Sequence, residues 1–195
     1  MTLRRFAPAL LSLALLAGCA VPLQKPPERF REGTWYTAVA FRPYRGDKIG
    51  FTNFLQNTEV IPPGTPVRVP GMNVEYLVFD VNGVRYFMEG DPGRAWNLAL
   101  APQLVDKYVA ESPPELPDEY GELNATPREI PAGVAKEDLV LSLGYPALAD
   151  GRVTQNMRRE DILASDDWIY YFNVWRVRMR VRFTDGVTDA VDVGG

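Results

Sequence analysis

Trp175, Val177, Met179, Val181 and Phe183 alternate with Arg176, Arg178, Arg180 and Arg182. A strict period of two predicts a half-buried β-strand, with its apolar residues on a core and its arginines on the opposite face. Strand-like runs flank it, "DWIYYFN" (167–173) before and "GVTDAVDV" (186–193) after, so three antiparallel strands are expected. For the second hairpin, a three-residue turn over Thr184 to Gly186 pairs Phe183 with Val187 and Met179 with Val191, keeping the valines on the apolar face. That register sets Arg178 opposite Asp192 and Arg182 opposite Thr188. A two-residue turn at Asn173-Val174 matches Trp168, Tyr170 and Phe172 to the same apolar face. It places Tyr171 beside Arg176 and Asp167 beside Arg180.

Short aromatic or β-branched runs also fill the first half: "TWYTAVAF", "IGFTNFL", "TPVRV", "VEYLVFDV" and "VRYFMEG", separated by turn residues. Asn82-Gly83 between Val81 and Val84 is a two-residue hairpin signal, because both turn positions need positive φ. These runs predict a small, curled antiparallel sheet of SH3-like kind over 34–110. It closes with a helix from Asp91 to Ala110 whose Trp96, Leu100, Leu104 and Tyr108 recur every four residues. Residues 111–125 hold prolines and acids and no base, the composition of a linker. Thr126, Pro127 and Glu129 have capping-box spacing for a first helix. A second is expected over Lys136 to Leu143, ending at Gly144. The fold class is therefore α+β: the β domain with its helix, then two helices on the three strands over 126–195.

The first residues are set apart from the fold. Arg4 and Arg5 precede an apolar run, Phe6 to Leu16, and then Ala17, Gly18 and Cys19; the run is short for a spanning helix. Leu16 to Cys19, "LAGC", resembles the lipobox of bacterial lipoproteins. The resemblance implies removal of residues 1–18, diacylation of the Cys19 sulfur and acylation of its new amine, holding the chain on a membrane. Cys19 is the single cysteine, so acylation also disposes of a lone thiol in an oxidising compartment. Ala20 and Val21, with no aspartate after the cysteine, fit outer-membrane sorting. Residues 19–33, rich in proline, read as a tether of up to ~40 Å at ~3.1 Å per residue.

Charge and chemistry narrow the function. The 21 Lys and Arg, less Arg4 and Arg5, leave 19 against 25 Asp and Glu, a net charge near −6 that disfavours nucleic acid as a partner. With no histidine and a single, acylated cysteine, His-based acid–base chemistry, thiol nucleophiles and Cys/His zinc sites are excluded. No cofactor is expected. Glu89 and Asp91 are nominal carboxylate candidates, but they fall in a Gly-Pro turn. The Asp185 to Asp192 acids lack calcium-loop spacing.

Gly133 to Leu139, then Leu143-Gly144-Tyr145-Pro146, Trp168-Ile169-Tyr170-Tyr171, Phe183 and Gly186-Val187 resemble the BamE (SmpA/OmlA) family of outer-membrane lipoproteins. The resemblance covers about Thr126 to Val193. It implies a helix pair on a three-stranded sheet, with Ala135 in place of the usual Ser or Thr cap and a long insert, Ala147 to Ser165. It also implies a non-catalytic, periplasm-facing lipoprotein acting as scaffold or accessory in outer-membrane assembly or integrity, in contact with an envelope protein partner.

The candidate interaction face is Arg176, Arg178, Arg180, Arg182 and Tyr171. Three readings of it stand: a solvated strand face neutralised by its neighbours, a docking face for an acidic protein or anionic phospholipid, or an internal contact with the acidic segment 111–122. A separate expectation is a cell-wall or ligand-binding module, with an aromatic groove drawn from Trp35, Tyr36, Phe51 and Phe54.

Overall fold

The computed structural model describes residues 21–173, 175 and 177–194; the expected signal segment 1–18, Cys19 and Arg176 lie outside them. The chain is built mainly of β-structure, in two sheets. The first contains β1 (Trp35–Thr37), β2 (Pro43–Arg45), β3 (Lys48–Gly50), β4 (Pro66–Met72), β5 (Tyr76–Val81), β6 (Val84–Glu89) and β7 (Val109–Ala110), in the order β2-β3-β6-β5-β4-β1-β7. The β5–β6 hairpin turns on Asn82 and Gly83, both at positive φ, and Val81 pairs with Val84. Side chains of β5 are buried on both faces, with Leu77, Val78 and Phe79 fully enclosed, as a central strand requires.

This sheet is larger than the expected SH3-like unit and not wholly antiparallel, since β3 runs parallel to β6. The expected helix over 91–110 is also broken up. Residues 91–97 are irregular, a 3₁₀ turn follows at Leu98–Leu100, and α1 spans only Ala101–Asp106. Pro102 lies in the first turn of α1, where its missing N–H costs no hydrogen bond, so a separate helix begins there. Residues 21–33, the described part of the expected semi-rigid tether 19–33, run along the first sheet: Gln24 and Met72 exchange backbone hydrogen bonds, and Phe30 is buried against Trp35.

The second half corrects the BamE-like ααβββ expectation. α2 (Tyr120–Ala125) lies in the acidic segment, α3 spans Lys136–Leu143, and α4 spans Arg159–Leu163. No helix starts at Thr126. That residue ends α2, with its hydroxyl donating back to the Glu122 carbonyl, and Pro131 and Gly133 leave no room for another helix. α3 covers the residues its periodicity predicts, burying Leu139, Val140 and Leu143. Its Ala135 cap makes no side-chain bond; instead the Lys136 amide donates to the Gly186 carbonyl in the last hairpin.

The second sheet has five strands, not three: β8 (Leu148–Ala149), β9 (Arg152–Val153), β10 (Asp167–Tyr171), β11 (Arg178–Thr184) and β12 (Val187–Val193), ordered β12-β11-β10-β8-β9. The insert 147–165 supplies the two extra strands and α4, so β10 is central. Alternation on β11 is regular, with Met179, Val181 and Phe183 buried and its arginines exposed. Trp175, assigned to the apolar face, is instead 80% exposed, because the strand begins only at Arg178. The two registers differ from expectation. Asp167 pairs with Arg182 and Tyr171 with Arg178, two positions from the predicted match, which preserves the faces. The last hairpin uses a two-residue turn at Asp185 and Gly186, both at positive φ. A bulge with Asp189 as the extra residue then returns Val191 to Val181, resolving the parity conflict that favoured a three-residue turn.

Residues 40–57 stitch the sheets together. Asn53 is buried, and its Nδ2 donates to the carbonyls of Ala40 (2.7 Å) and Leu143 (2.8 Å) while its Oδ1 accepts from the Arg42 amide at 2.8 Å. Gly144 sits at φ +80, and a Cβ there would lie 2.5 Å from Asn53 Nδ2. Phe54 bridges Tyr171, and the Leu55 and Gln56 amides donate to the carbonyls of Tyr171 and Phe172. The buried apolar side chains form one core that spans both sheets.

Candidate functional site

The arginine face is largely neutralised. Arg180 makes a bidentate contact with Asp167, at 2.7 and 2.6 Å, and the pair holds the Asp167 carboxyl below its ordinary value, chiefly through that hydrogen bond. Arg182 donates to Asp192 at 3.0 Å. Arg178 is exposed and makes no ion pair among the described residues. The carboxylates of 111–122 make no described ion pair with these arginines. Tyr171, expected on an open strip, is only 6% exposed, because the Phe54 segment crosses over it.

That crossing creates a recess of about 260 Å³ between the two sheets. Its walls come from distant parts of the chain: Tyr44 on β2, Phe51 and Phe54 after β3, Glu89 and Asp91 around the end of β6, and Tyr171 on β10. Tyr44 and Phe54 meet edge to face, with centroids 4.9 Å apart at 83°, the favoured geometry for two ring quadrupoles. The Tyr44 hydroxyl donates to Glu89, and burial followed by this bond pushes its pKa above the ordinary tyrosine value. Lys48 lies 3.5 Å from Glu89, and Arg94 lies 3.7 Å from Asp91. The Arg45 guanidinium sits over the Tyr44 ring at 5.6 Å.

The acidic rim is braced from the second sheet. Gln155, fully buried, accepts from the Asp91 amide at 2.7 Å and donates to the Arg94 carbonyl at 3.2 Å. Gly90 is required beside it, since a Cβ there would come within 2.5 Å of the Gln155 amide. Behind Gln155 stands Lys107, 1% exposed, whose ammonium donates to the Thr154 and Gln155 carbonyls at 3.0 Å each. It also lies 5.4 Å from the ring centroids of both Tyr108 and Tyr145. Burial lowers its pKa to about 7.

Of the aromatic groove expected from sequence, Phe51 and Phe54 are in the recess. Trp35 is not; it is buried against Phe30 at a 4.7 Å centroid distance. Tyr36 lies on β1, paired to Pro66 and Ala110. The nominal acids Glu89 and Asp91 do meet the aromatics, which the sequence could not reveal. Tyr44 and Arg45 carry little signal in the sequence, only an aromatic-basic pair before a Gly-Asp turn. Among the described residues no three His, Cys, Asp or Glu side chains gather as metal ligands, and no helix is long and apolar enough to cross a membrane.

Fold and site together define a two-sheet, β-rich protein with an aromatic and acidic recess at its seam. No protein-family model, no curated protein and no solved structure matches the chain.

Proposed function

We propose that this chain is a lipid-anchored, non-catalytic binding protein of the bacterial cell envelope, held at the outer membrane through Cys19 and facing the periplasm. Its ligand is a sugar of the cell wall, gripped in the seam recess. One observation carries this reading: Tyr44, Phe51, Phe54 and Tyr171 line the same 260 Å³ as Glu89 and Asp91. Aromatic faces pack against the C–H faces of a pyranose, while carboxylates and Arg45 take its hydroxyls. The volume falls just below the ~300 Å³ at which drug-sized pockets begin, which suits a single ring. Each acid already holds a cation, the arrangement of a recognition site and not of a proton-transfer pair. With Gln24 pinned to Met72, only a few residues separate the fold from Cys19, so the body rides close to the lipid. Sedimentation with purified peptidoglycan tests the reading: the soluble chain from Val21 onward should pellet with the sacculi, and its retention in the supernatant would sink it.

A second reading, scaffold or accessory in outer-membrane assembly through protein contacts, is favoured by one feature. Trp175 stands 80% exposed between β10 and β11, close in sequence to the unpaired Arg178. Exposed tryptophan and arginine are the residues most often found to anchor protein interfaces. Pull-down from solubilised membranes with wild type and Trp175→Ala should recover an envelope protein only with the former. Equal recovery by both would remove this reading.

A further inference from the structure

On the far side of the Phe54–Tyr171 crossing lies a second, larger groove of about 590 Å³, lined by Arg42, Leu55, Asn57, Asn124, Arg128 and Phe172 among others. We propose that this groove is a binding site for a carboxylate carried on an apolar body, such as the free C-terminus of a short peptide. The site is separate from the sugar recess, and the proposal stands whether or not that recess binds its ligand.

Arg42 provides the first reason. It is 1% exposed yet has no carboxylate partner among the described residues. Its guanidinium donates to the Asn57 carbonyl at 2.5 Å, to the Asn124 carbonyl at 3.3 Å and to the Asn124 side chain at 2.7 Å. A buried charge held only by neutral dipoles is costly, and an anion seated beside it offsets part of that cost. Burial accordingly lowers the Arg42 pKa.

Unused donors provide the second. Arg42 Nε and Asn57 Nδ2 are both buried with no hydrogen-bond partner, and buried donors are rarely left unsatisfied. Arg128 adds another cation. Its guanidinium lies 3.8 Å above the centroid of Phe172 and makes no ion pair among the described residues.

The groove also indicates which anion. Two guanidiniums stand against one lining acid, Glu129, a surplus of one positive charge. Asn124 and Ala125 bring the C-terminal end of α2 to the wall, where the helix dipole is negative. A doubly charged phosphate would exceed that surplus and meet the helix end and Glu129 with twice the repulsion, whereas a single carboxylate matches the surplus. Arginine forks bind carboxylates in bidentate fashion. Leu55, Pro127 and Phe172 offer the attached body an apolar surface.

Calorimetric titration of the folded chain tests this with three probes: N-acetyl-alanyl-alanine as the free acid, its C-terminal amide, and inorganic phosphate. The free acid should bind, with the amide and phosphate each weaker by about tenfold or more. Arg128→Gln should weaken the acid by a similar factor while leaving the melting temperature without ligand unchanged, and Arg128→Lys should recover part of the affinity. Arg128 is chosen because Arg42 is built into the seam and its loss endangers folding. No heat with the acid, equal binding of acid and amide, phosphate binding ahead of the acid, or full affinity in Arg128→Gln would each overturn the proposal.

Discussion

The arginine face of β11 and the recess at the seam are neighbours in space and opposites in origin. The first is spelled out by one uninterrupted stretch of chain, and its positive charge is plain before any folding. The second takes residues from four places in the chain, none conspicuous alone. Folding reverses their prominence. Asp167 and Asp192 reach across the strands to Arg180 and Arg182, leaving Arg178 as the unpaired described cation of the strip. Meanwhile four rings and two carboxylates converge where the 50–57 segment crosses β10. A charge pattern in one strand fixes which side chains share a face; the net field of that face depends on the carboxylates that the paired strands β10 and β12 bring beside it.

The seam should respond to substitution far more than the strip. Asn53→Ala removes three buried hydrogen bonds and leaves the Ala40 and Leu143 carbonyls and the Arg42 amide unpaired. A loss of about 3 kcal/mol is expected in urea unfolding, with the recess and the groove both loosened.

The brace behind the recess carries a pH signature. Lys107 has a folded pKa near 7 because it is buried, against ~10.4 when unfolded. Between those values the unfolded chain binds a proton that the folded chain does not, so stability rises with pH. From pH 7.5 to 9.5 the rise is about 1 kcal/mol per pH unit, below the range where the buried tyrosines begin to titrate on unfolding. Denaturation midpoints should climb over that window in the wild type and stay flat in Lys107→Met. A flat wild-type profile would mean that the ammonium is better solvated than its surroundings suggest.

Much of what is local was legible in the sequence. The period-two strand, the α3 stripe and the Asn82-Gly83 turn depend on residues a few positions apart; α3 and the turn form where their patterns predict, and the strand keeps its alternation but begins only at Arg178. What failed depended on distant partners. Parallel pairing of β3 with β6 leaves no mark in either strand. Thr126 and Glu129 have the spacing of a helix start, yet α2 had already claimed Thr126 as its end. The Asp189 bulge shows the limit well: parity argued against a two-residue turn, and one extra residue removed the objection. At the candidate site, Phe51, Phe54, Glu89 and Asp91 drew notice individually, but nothing in the sequence could bring them to Tyr44 and Tyr171.

Smaller effects sharpen the contrast at the hairpins. Gly186 and Gly83 occupy equivalent turn positions at φ +81 in the two sheets, with open space around each. Gly186→Ala and Gly83→Ala should each cost about 1 kcal/mol by urea unfolding, from the left-handed backbone alone. A much larger loss at Gly186 would show that its carbonyl bond to Lys136 makes the last hairpin a structural cap for α3. Smallest of all, replacing Arg178, Arg180 and Arg182 together by glutamine should leave the unfolding midpoint almost unchanged, because these pairs are exposed and screened.

The most direct comparison of the two regions is sedimentation with purified peptidoglycan, run on wild type, Phe54→Ala and the triple arginine-to-glutamine variant, each first checked for a cooperative melt. Binding through the recess predicts that Phe54→Ala loses about tenfold in affinity while the arginine variant pellets like wild type. Undiminished binding by Phe54→Ala together with loss in the arginine variant would contradict it, and would return the function to the strip.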